Sequence, residues 1–270
     1  MSRLYAQNLK IAYGERDIVK NLNISIPDGK ITTIIGPNGC GKSTVLKTLS
    51  RILNPKSGVV YLDGKGISKE STKKIAQKMA ILPQSPDSPE GLTVGELVSY
   101  GRFPYQKGLG KLTKRDFEVI DWALEVTGIY TFKNHPVDAL SGGQRQRVWI
   151  AMALAQETDI ILLDEPTTYL DLSHQLEVLE LLEQLNRDEK RTIVMVIHDL
   201  NHAARFAHHM VAMKDGAILK EGTAEDVMTR QVLRNVFNID AEIGVDPRTR
   251  KPVCLTYDLI KSVQLVENLA

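Results

Sequence analysis

GPNGCGKS occupies residues 36–43 and fits the spacing G-x-x-x-x-G-K-[ST]. It follows KITTIIG (30–36), a β-branched run that reads as a buried strand. It opens KSTVLKTLSRIL (42–53), where Val45, Leu46, Leu49, Ile52 and Leu53 recur at the spacing of one helix face. Strand, glycine loop and helix in this order are the setting a phosphate-binding loop requires. Gly36, Gly39 and Gly41 let the backbone N–H groups of the loop, including those of Asn38 and Cys40 that follow Pro37, turn toward a phosphate chain. The helix N-terminus adds a favourable partial positive charge. Lys42 is placed to reach the β- and γ-phosphates, Ser43 to ligate Mg²⁺, and Thr44 to donate to a phosphate oxygen. The plain alternative is a glycine turn before a structural helix.

Outward from this loop, GVVYLDG (58–64) reads as a strand closed by a turn, and KMAILPQ (78–84) as a strand that stops at Pro83. From about 86 to 157 the pattern is helical, with TVGELVSYGRF and KRDFEVIDWALEVTGI as helices. Strand patterns return at DIILLDEP (159–166) and RTIVMVIHD (191–199), separated by a helix with a stripe at Leu176, Leu179, Leu182 and Leu185. MVAMKDGAILKEG (210–222) reads as a hairpin, and 223–270 holds a short helix followed by mixed signals. Strands alternating with helices predict an α/β sheet domain, with the segment 86–157 as a helical lobe inserted between two of its strands.

Two further strand ends carry polar groups. IILLDEP (160–166) puts Asp164 and Glu165 at the end of an apolar strand, where parallel sheets gather their ligands. Alternation along a strand points the two acids in opposite directions and predicts different tasks. Asp164 suits the Mg²⁺ shell, and Glu165 suits polarising a water for in-line attack on a γ-phosphate. VMVIHD repeats the arrangement: His198 ends a strand and contacts the γ-phosphate or serves structure alone, and Asp199 caps the helix that follows. A metal site from His198, His202, His208 and His209 is a rival reading, and no HExxH pattern accompanies it. Tyr13, in KIAYGER, is open to two readings, a base-stacking aromatic or an ordinary strand residue. Gln84 stands where the chain leaves the sheet for the helical lobe.

Bulk properties narrow the function classes. At 270 residues and 43% hydrophobic, the chain is long enough to bury a large core. Thirty-four basic residues against 33 acidic ones leave a net charge of +1, which argues against nucleic acid as a partner. Two cysteines make no disulfide framework, and a reducing compartment is expected. The N-terminal MSRLYAQNLKIAYGERD lacks the apolar core of a signal peptide. VWIAMALA (148–155), among the longest apolar stretches, is far shorter than the roughly 20 residues of a membrane span. Work at a membrane would then use another protein's spans.

LSGGQRQR (140–147) is the remaining puzzle. Ser141 and Gln144 fit a capping box at a helix start, which leaves the second of the two glycines, Gly142 and Gly143, unexplained. Taken with GPNGCGKST, Gln84, ILLDEP, YLD (169–171) and His198, in that order, it resembles the nucleotide-binding subunits of ABC transporters, over residues 3 to 222. That resemblance implies a P-loop NTPase core of RecA-like form with an inserted all-helical subdomain and a small antiparallel β part. It makes 1–222 an ATP-binding domain and 223–270 a short C-terminal extension. It further implies ATP and Mg²⁺ as ligands and a head-to-tail homodimer with two ATP molecules at its interface. By position, Tyr13 resembles the adenine-stacking aromatic. Gln84 resembles the glutamine that touches Mg²⁺ and the attacking water and senses the membrane subunit. Asp171 resembles the aspartate that contacts the partner's phosphate loop, and His198 the switch histidine. Ser141, Gly142, Gly143 and Gln144 would close on the γ-phosphate of ATP held by the other subunit.

SYGRFPYQ (99–106), LDEPTTYLDLSHQLEVLELL (163–182), HDLNHAARFAHHMVAMKDG (198–216) and the tail NVFNIDAEIGVDPRTRKPVC (235–254) are similar to importers of iron(III)–siderophore complexes, with haem and cobalamin importers as relatives. The resemblance implies a polytopic permease as partner, indirectly a substrate-binding protein, and a peripheral position on the cytoplasmic face of the cell membrane. A soluble ABC ATPase acting on DNA ends or ribosomes is the alternative from another class. Such proteins carry a long coiled-coil insertion or two ATPase modules, and neither is present in this sequence.

Overall fold

The computed structural model describes residues 2–84, 90–106, 110–168 and 170–260; Tyr169 of the YLD stretch lies outside them. The strands are β1 (Leu4–Tyr13), β2 (Arg16–Ile26), β3 (Ile31–Ile35), β4 (Ser57–Leu62), β5 (Lys65–Gly66), β6 (Met79–Leu82), β7 (Ile160–Asp164), β8 (Thr192–Val196), β9 (His209–Lys214), β10 (Ala217–Gly222), β11 (Ile239–Val245) and β12 (Pro252–Leu259). The α-helices are α1 (Lys42–Leu49), α2 (Thr72–Ala76), α3 (Val94–Ser99), α4 (Lys114–Val126), α5 (Gly142–Ala155), α6 (Leu172–Glu189), α7 (Leu200–Phe206), α8 (Ala224–Val227) and α9 (Arg230–Phe237).

The central sheet has the order β10-β9-β3-β8-β7-β6, parallel throughout except for the edge strand β10. Every residue of β3, β7 and β8 is buried, because both faces of this sheet are covered. Alternate residues enter two different cores. Ile161, Leu163, Ile193 and Met195 pack with α3–α7, while Ile160, Leu162, Val194 and Val196 pack with α1 and the antiparallel sheet β2-β1-β4-β5. Full burial of each such side chain stabilises the fold by roughly 1.5–3 kcal/mol. A register shift of one residue would exchange the two cores, so the pairing is strongly specified.

That pairing positions the site. Leu82 is level with Leu163, Asp164 with Val196, and Val196 with Ile34. The residues just beyond these strands therefore emerge side by side: Gln84, Glu165, His198 and the loop that starts at Gly36.

Several expectations change in detail. The helix expected over 42–53 ends at Leu49, and Ile52 is exposed in the turn that follows. The first eighty residues contain a second short helix, α2, capped by Ser71. TVGELVSYGRF is α-helical only to Ser99 and continues as a 3₁₀ turn to Tyr105 around Pro104, which cannot donate an α-helical hydrogen bond. The tail holds two helices and the antiparallel hairpin β11-β12, rather than one helix. Between β6 and β7 the chain forms α3, α4 and α5, which pack on one another.

Candidate active site

The loop after β3 needs its glycines. Gly36 has φ 153°, and a Cβ there would lie 2.3 Å from the carbonyl oxygen of Met213 on β9. Gly39 (φ 77°) and Gly41 (φ 104°) take conformations that side-chain-bearing residues adopt only at a cost. Gly41 leads straight into α1, and no side chain caps that helix. Among the described residues, the other eight α-helices each have a side-chain cap. The N–H groups at the start of α1 are left for a ligand. Pro37, Asn38 and Cys40 span the turn, with Cys40 N–H donating to the Pro37 carbonyl at 3.3 Å and burial pushing the Cys40 thiol pKa up.

A cavity of about 440 Å³ opens over this loop, lined among others by Asn38, Lys42, Ser43, Gln84, Glu165 and His198. Lys42 is buried and donates to the carbonyls of Gly36 (2.9 Å) and Pro37 (3.1 Å). Ser43 donates to Asp164 Oδ1 at 2.7 Å. Asp164 is 1% exposed, and its other oxygen, Oδ2, is buried without a hydrogen-bond partner among the described residues. Burial pushes the Asp164 carboxyl above the ordinary Asp range; the Ser43 hydroxyl opposes this and the neighbouring Glu165 charge adds to it. A hydroxyl and an orphaned carboxylate oxygen, side by side and buried, are a donor set that fits a hard cation such as Mg²⁺.

Glu165 is the hub of the second half of the cleft. Its Oε2 accepts from Gln84 Nε2 at 2.5 Å and from Thr168 Oγ1 at 3.1 Å, and its Oε1 lies 2.6 Å from His198 Nε2. The expected strand alternation does not separate it from Asp164. β7 ends at Asp164, and Glu165 has φ 55°, a left-handed residue whose N–H donates to Val196 O at 3.1 Å. That turn brings Glu165 into the cleft that Lys42 and Ser43 line. A non-glycine residue in this conformation is strained, and such strain concentrates at functional sites. His198 likewise stands two residues past the end of β8, not on it. Its rival grouping is dispersed, because His208 Nδ1 accepts from Ile31 N–H at the opposite end of β3. Asp199 caps α7 through His202 N–H, as expected.

The remaining predicted residues stand outside the cleft. Ser141 and Gln144 form the expected capping box: the Ser141 hydroxyl accepts from Gln144 N–H (3.3 Å) and Gln144 Oε1 from Ser141 N–H (3.0 Å). A Cβ on Gly142 would meet nothing within 4 Å, and one on Gly143 nothing closer than 3.6 Å, so no contact within the chain demands either glycine. Asp171 caps α6, accepting from His174 N–H (2.9 Å), Ser173 Oγ (2.9 Å) and the His174 ring (2.7 Å). The His174 N–H and then the Ser173 hydroxyl draw its pKa down to about 2. Tyr13 ends β1 half exposed, opposite Arg16 in the β1–β2 register. Arg16 and Ile18 line the cleft and were not anticipated; nothing local in YGERDIV marks them. Thr168 and Gln146 were also missed. Gln146 Nε2 donates to Pro166 O at 2.9 Å and ties the second turn of α5 to the residue after Glu165.

The model of the ABC transporter family matches residues 19–168. The chain belongs to the ABC transporter ATP-binding family. It is similar to the iron(3+)-hydroxamate import ATP-binding protein FhuC of Bacillus subtilis (strain 168), at 66% identity over 97% of both chains. It is 52% identical to the petrobactin import ATP-binding protein FpuD of Bacillus anthracis, over 94% of this chain and 93% of that one. Among solved structures it resembles the dimeric ABC transporter cassette MJ0796, with 32% identity, a TM-score of 0.74, and coverage of 82% of this chain and 98% of that one. A further dimeric structure of that cassette holds ADP and Pi after hydrolysis, at a TM-score of 0.72. The fold is that of an ABC ATPase, and the family's reaction is ATP hydrolysis. Among the described residues no helix of this ABC subunit is long and apolar enough to cross a membrane.

Proposed function

We propose that this chain powers the import of an iron(III)–siderophore complex, as the ATP-hydrolysing subunit bound beneath a polytopic permease on the cytoplasmic face of the cell membrane. The observation that carries the cargo is the 66% identity, over nearly the full length of both chains, with an iron(3+)-hydroxamate import ATP-binding protein. A substrate-binding protein delivers the chelate to the permease, and nucleic acid has no part. Residues 1–222 act as the ATP-binding domain, with the lobe of about 86–157 facing the permease, and 223–270 as an extension.

The residues divide the work as follows. Tyr13 stacks on the adenine, and the backbone from Gly36 to Thr44 holds the phosphates. Ser43, Asp164 Oδ2 and Gln84 would hold Mg²⁺, which when bound neutralises charge on the β- and γ-phosphates. Glu165 takes the proton of the attacking water as general base. Gln84, Thr168 and His198 hold its two oxygens in place, so the carboxylate is oriented before substrate arrives. Ser141, Gly142, Gly143, Gln144 and Asp171 complete the site of a second copy. Closure of the pair moves the helical lobe, and hydrolysis reopens it.

Deletion of this chain should abolish uptake of ⁵⁵Fe from hydroxamate chelates, with restoration by the wild type. Unchanged uptake from every iron chelate would overturn the cargo. Loss of haem or cobalamin uptake instead would reassign it to those relatives.

A further inference from the structure

Asp171 and the first turn of α5 have one side chain in common. His174, the third residue of α6, has its ring Nδ1 2.7 Å from Asp171 Oδ1. The same ring lies against α5: a Cβ on Gly143 would stand 3.7 Å from His174 Cγ and 3.8 Å from Cδ2, which is van der Waals contact. About one turn further along, Arg147 of α5 pairs with Glu177 of α6. The two helices therefore run side by side in the same direction, and His174 sits at the head of the seam, where both begin.

The ring does more than a helix cap needs. An N-cap carboxylate is satisfied by a backbone N–H of the first turn, and Asp171 Oδ1 has that bond from His174 N–H at 2.9 Å. It also accepts from the Ser173 hydroxyl at 2.9 Å and from the ring. With its pKa drawn down to about 2, first by the His174 N–H, the group is a carboxylate at neutral pH and can only accept. Nδ1 therefore carries a proton. All three bonds fall on Oδ1, and among the described residues Oδ2 accepts none. The Asp171 side chain is 66% exposed. A carboxylate turns easily about its last bond. Three donors converging on one oxygen hold its plane and leave the other oxygen open to a donor from outside the chain.

We propose that His174 is a positioning residue for ATP hydrolysis. Its Nδ1–H fixes the Asp171 carboxylate, and its ring sets the distance between that carboxylate and the glycine start of α5. The two then present one rigid surface to a second copy, with Oδ2 as the acceptor for the partner's phosphate loop. His174 touches no nucleotide and no reacting atom, so it acts through Asp171. This rests on the head-to-tail pairing proposed above, which assigns Asp171 to the partner's loop and gives His174 no part. The plain alternative is a histidine that stabilises the start of α6 and nothing more.

Turnover of the full chain with ATP and Mg²⁺ tests it. His174→Leu keeps apolar bulk against Gly143 and removes the donor. Its kcat should fall about tenfold, the cost of letting a positioned group move, while ATP affinity stays within about twofold of wild type. His174→Asn puts an N–H donor where Nδ1 stood and should restore about half of the wild-type kcat or more. His174→Gln, whose donor lies one atom further out, should not. If kcat merely follows the melting temperature in all three variants, His174 serves α6 alone and the proposal is overturned. Asp171→Asn is the second arm. It keeps the capping oxygen and replaces the open Oδ2 with an NH₂ group, so the helix start survives. Adding His174→Leu to it should lower kcat no further, because the ring has nothing left to position. A further loss of similar size in the double variant would overturn the proposal, since His174 would then act independently of Asp171. So would a wild-type kcat in His174→Leu while Asp171→Asn is slow, which leaves the pairing intact. Wild-type turnover in Asp171→Asn would instead overturn the reading of Asp171 itself.

Discussion

Two helices in this molecule begin with glycines and a hydroxyl, and they begin in opposite ways. At α1, Gly36, Gly39 and Gly41 have positive φ, no side chain caps the helix, and a cleft of about 440 Å³ stands over its first N–H groups. At α5, Ser141 and Gln144 cap each other, the glycines have ordinary backbone angles, and Gly142 faces open space. The first start is explained by what surrounds it in one chain. The second is capped as a helix and left bare as a surface, which is how half of a shared anion site looks before its other half arrives.

The comparison breaks first at the hub of the complete half. Glu165→Gln keeps the side chain's volume and its bond to Thr168 but removes the base. Turnover should fall by at least ~10²–10⁴, the usual worth of general-base action, while ATP binding persists and an ATP-bound dimer accumulates in gel filtration. Near-normal turnover would remove Glu165 from that role. Ser141→Arg strikes the bare half. Loss of the cap costs α5 about 1 kcal/mol. ATP affinity should stay within about threefold of wild type, because the α1 cleft is untouched, while hydrolysis disappears. Loss of nucleotide binding in this variant would mean that α5 serves its own chain's cleft.

Legibility in the sequence followed the same division. The α1 loop was readable because strand, glycines, Lys42 and Ser43 are contiguous, and local chemistry alone requires them. The buried strands β3, β7 and β8 were readable as apolar runs, yet their order was not, because register depends on pairings between residues far apart in the chain, such as Ile31 with Ile193 and Met79 with Ile160. Glu165 reads as a strand residue; its left-handed φ, with its N–H donating to the Val196 carbonyl across the sheet, is a feature that no local pattern reports. Arg16, Ile18, Thr168 and Gln146 reach the site by tertiary placement, and their neighbours in sequence carry no mark of it. The β11-β12 hairpin gives mixed signals because residues 255–259 are exposed on both faces, so their alternation marks no buried side, and an irregularity in the pairing between Cys254 and Thr256 interrupts the strand's period.

Two substitutions in the complete half sharpen the contrast through stability. Gly36→Ala puts a methyl 2.3 Å from Met213 O and should destabilise the chain by about 3 kcal/mol in urea unfolding, since backbone on both sides must move. Asp164→Asn should act oppositely. Burial raises the folded-state pKa of Asp164 above its unfolded value, so between those two values the native state binds more protons than the unfolded one. Its contribution to stability therefore falls as pH rises through that window and stays low above it. Nucleotide-free Asp164→Asn should melt higher than wild type at pH 7 and converge with it below the unfolded Asp pKa of about 3.9. It should also lose the extra stabilisation that Mg²⁺ adds to ATP, because the orphaned oxygen is gone. A wild-type melting temperature that rises with pH across this window, unless Asp164→Asn rises equally, would reverse the sign.

The smallest change separates the two helix starts most cleanly. Gly142→Ala adds one methyl into space that nothing in the chain occupies, at a backbone angle alanine accepts. By restricting the unfolded chain it should stabilise the protein by roughly 0.4–1 kcal/mol. If the bare surface of α5 is only a helix start, ATP turnover should be unchanged or slightly improved with the stability. If it closes on a phosphate held by a second copy, the methyl intrudes on that approach. The variant is then more stable, binds ATP normally as a single chain, and turns over more slowly by about tenfold. Gain of stability with loss of rate in one variant is the signature of a residue kept for a surface that is completed only by a partner.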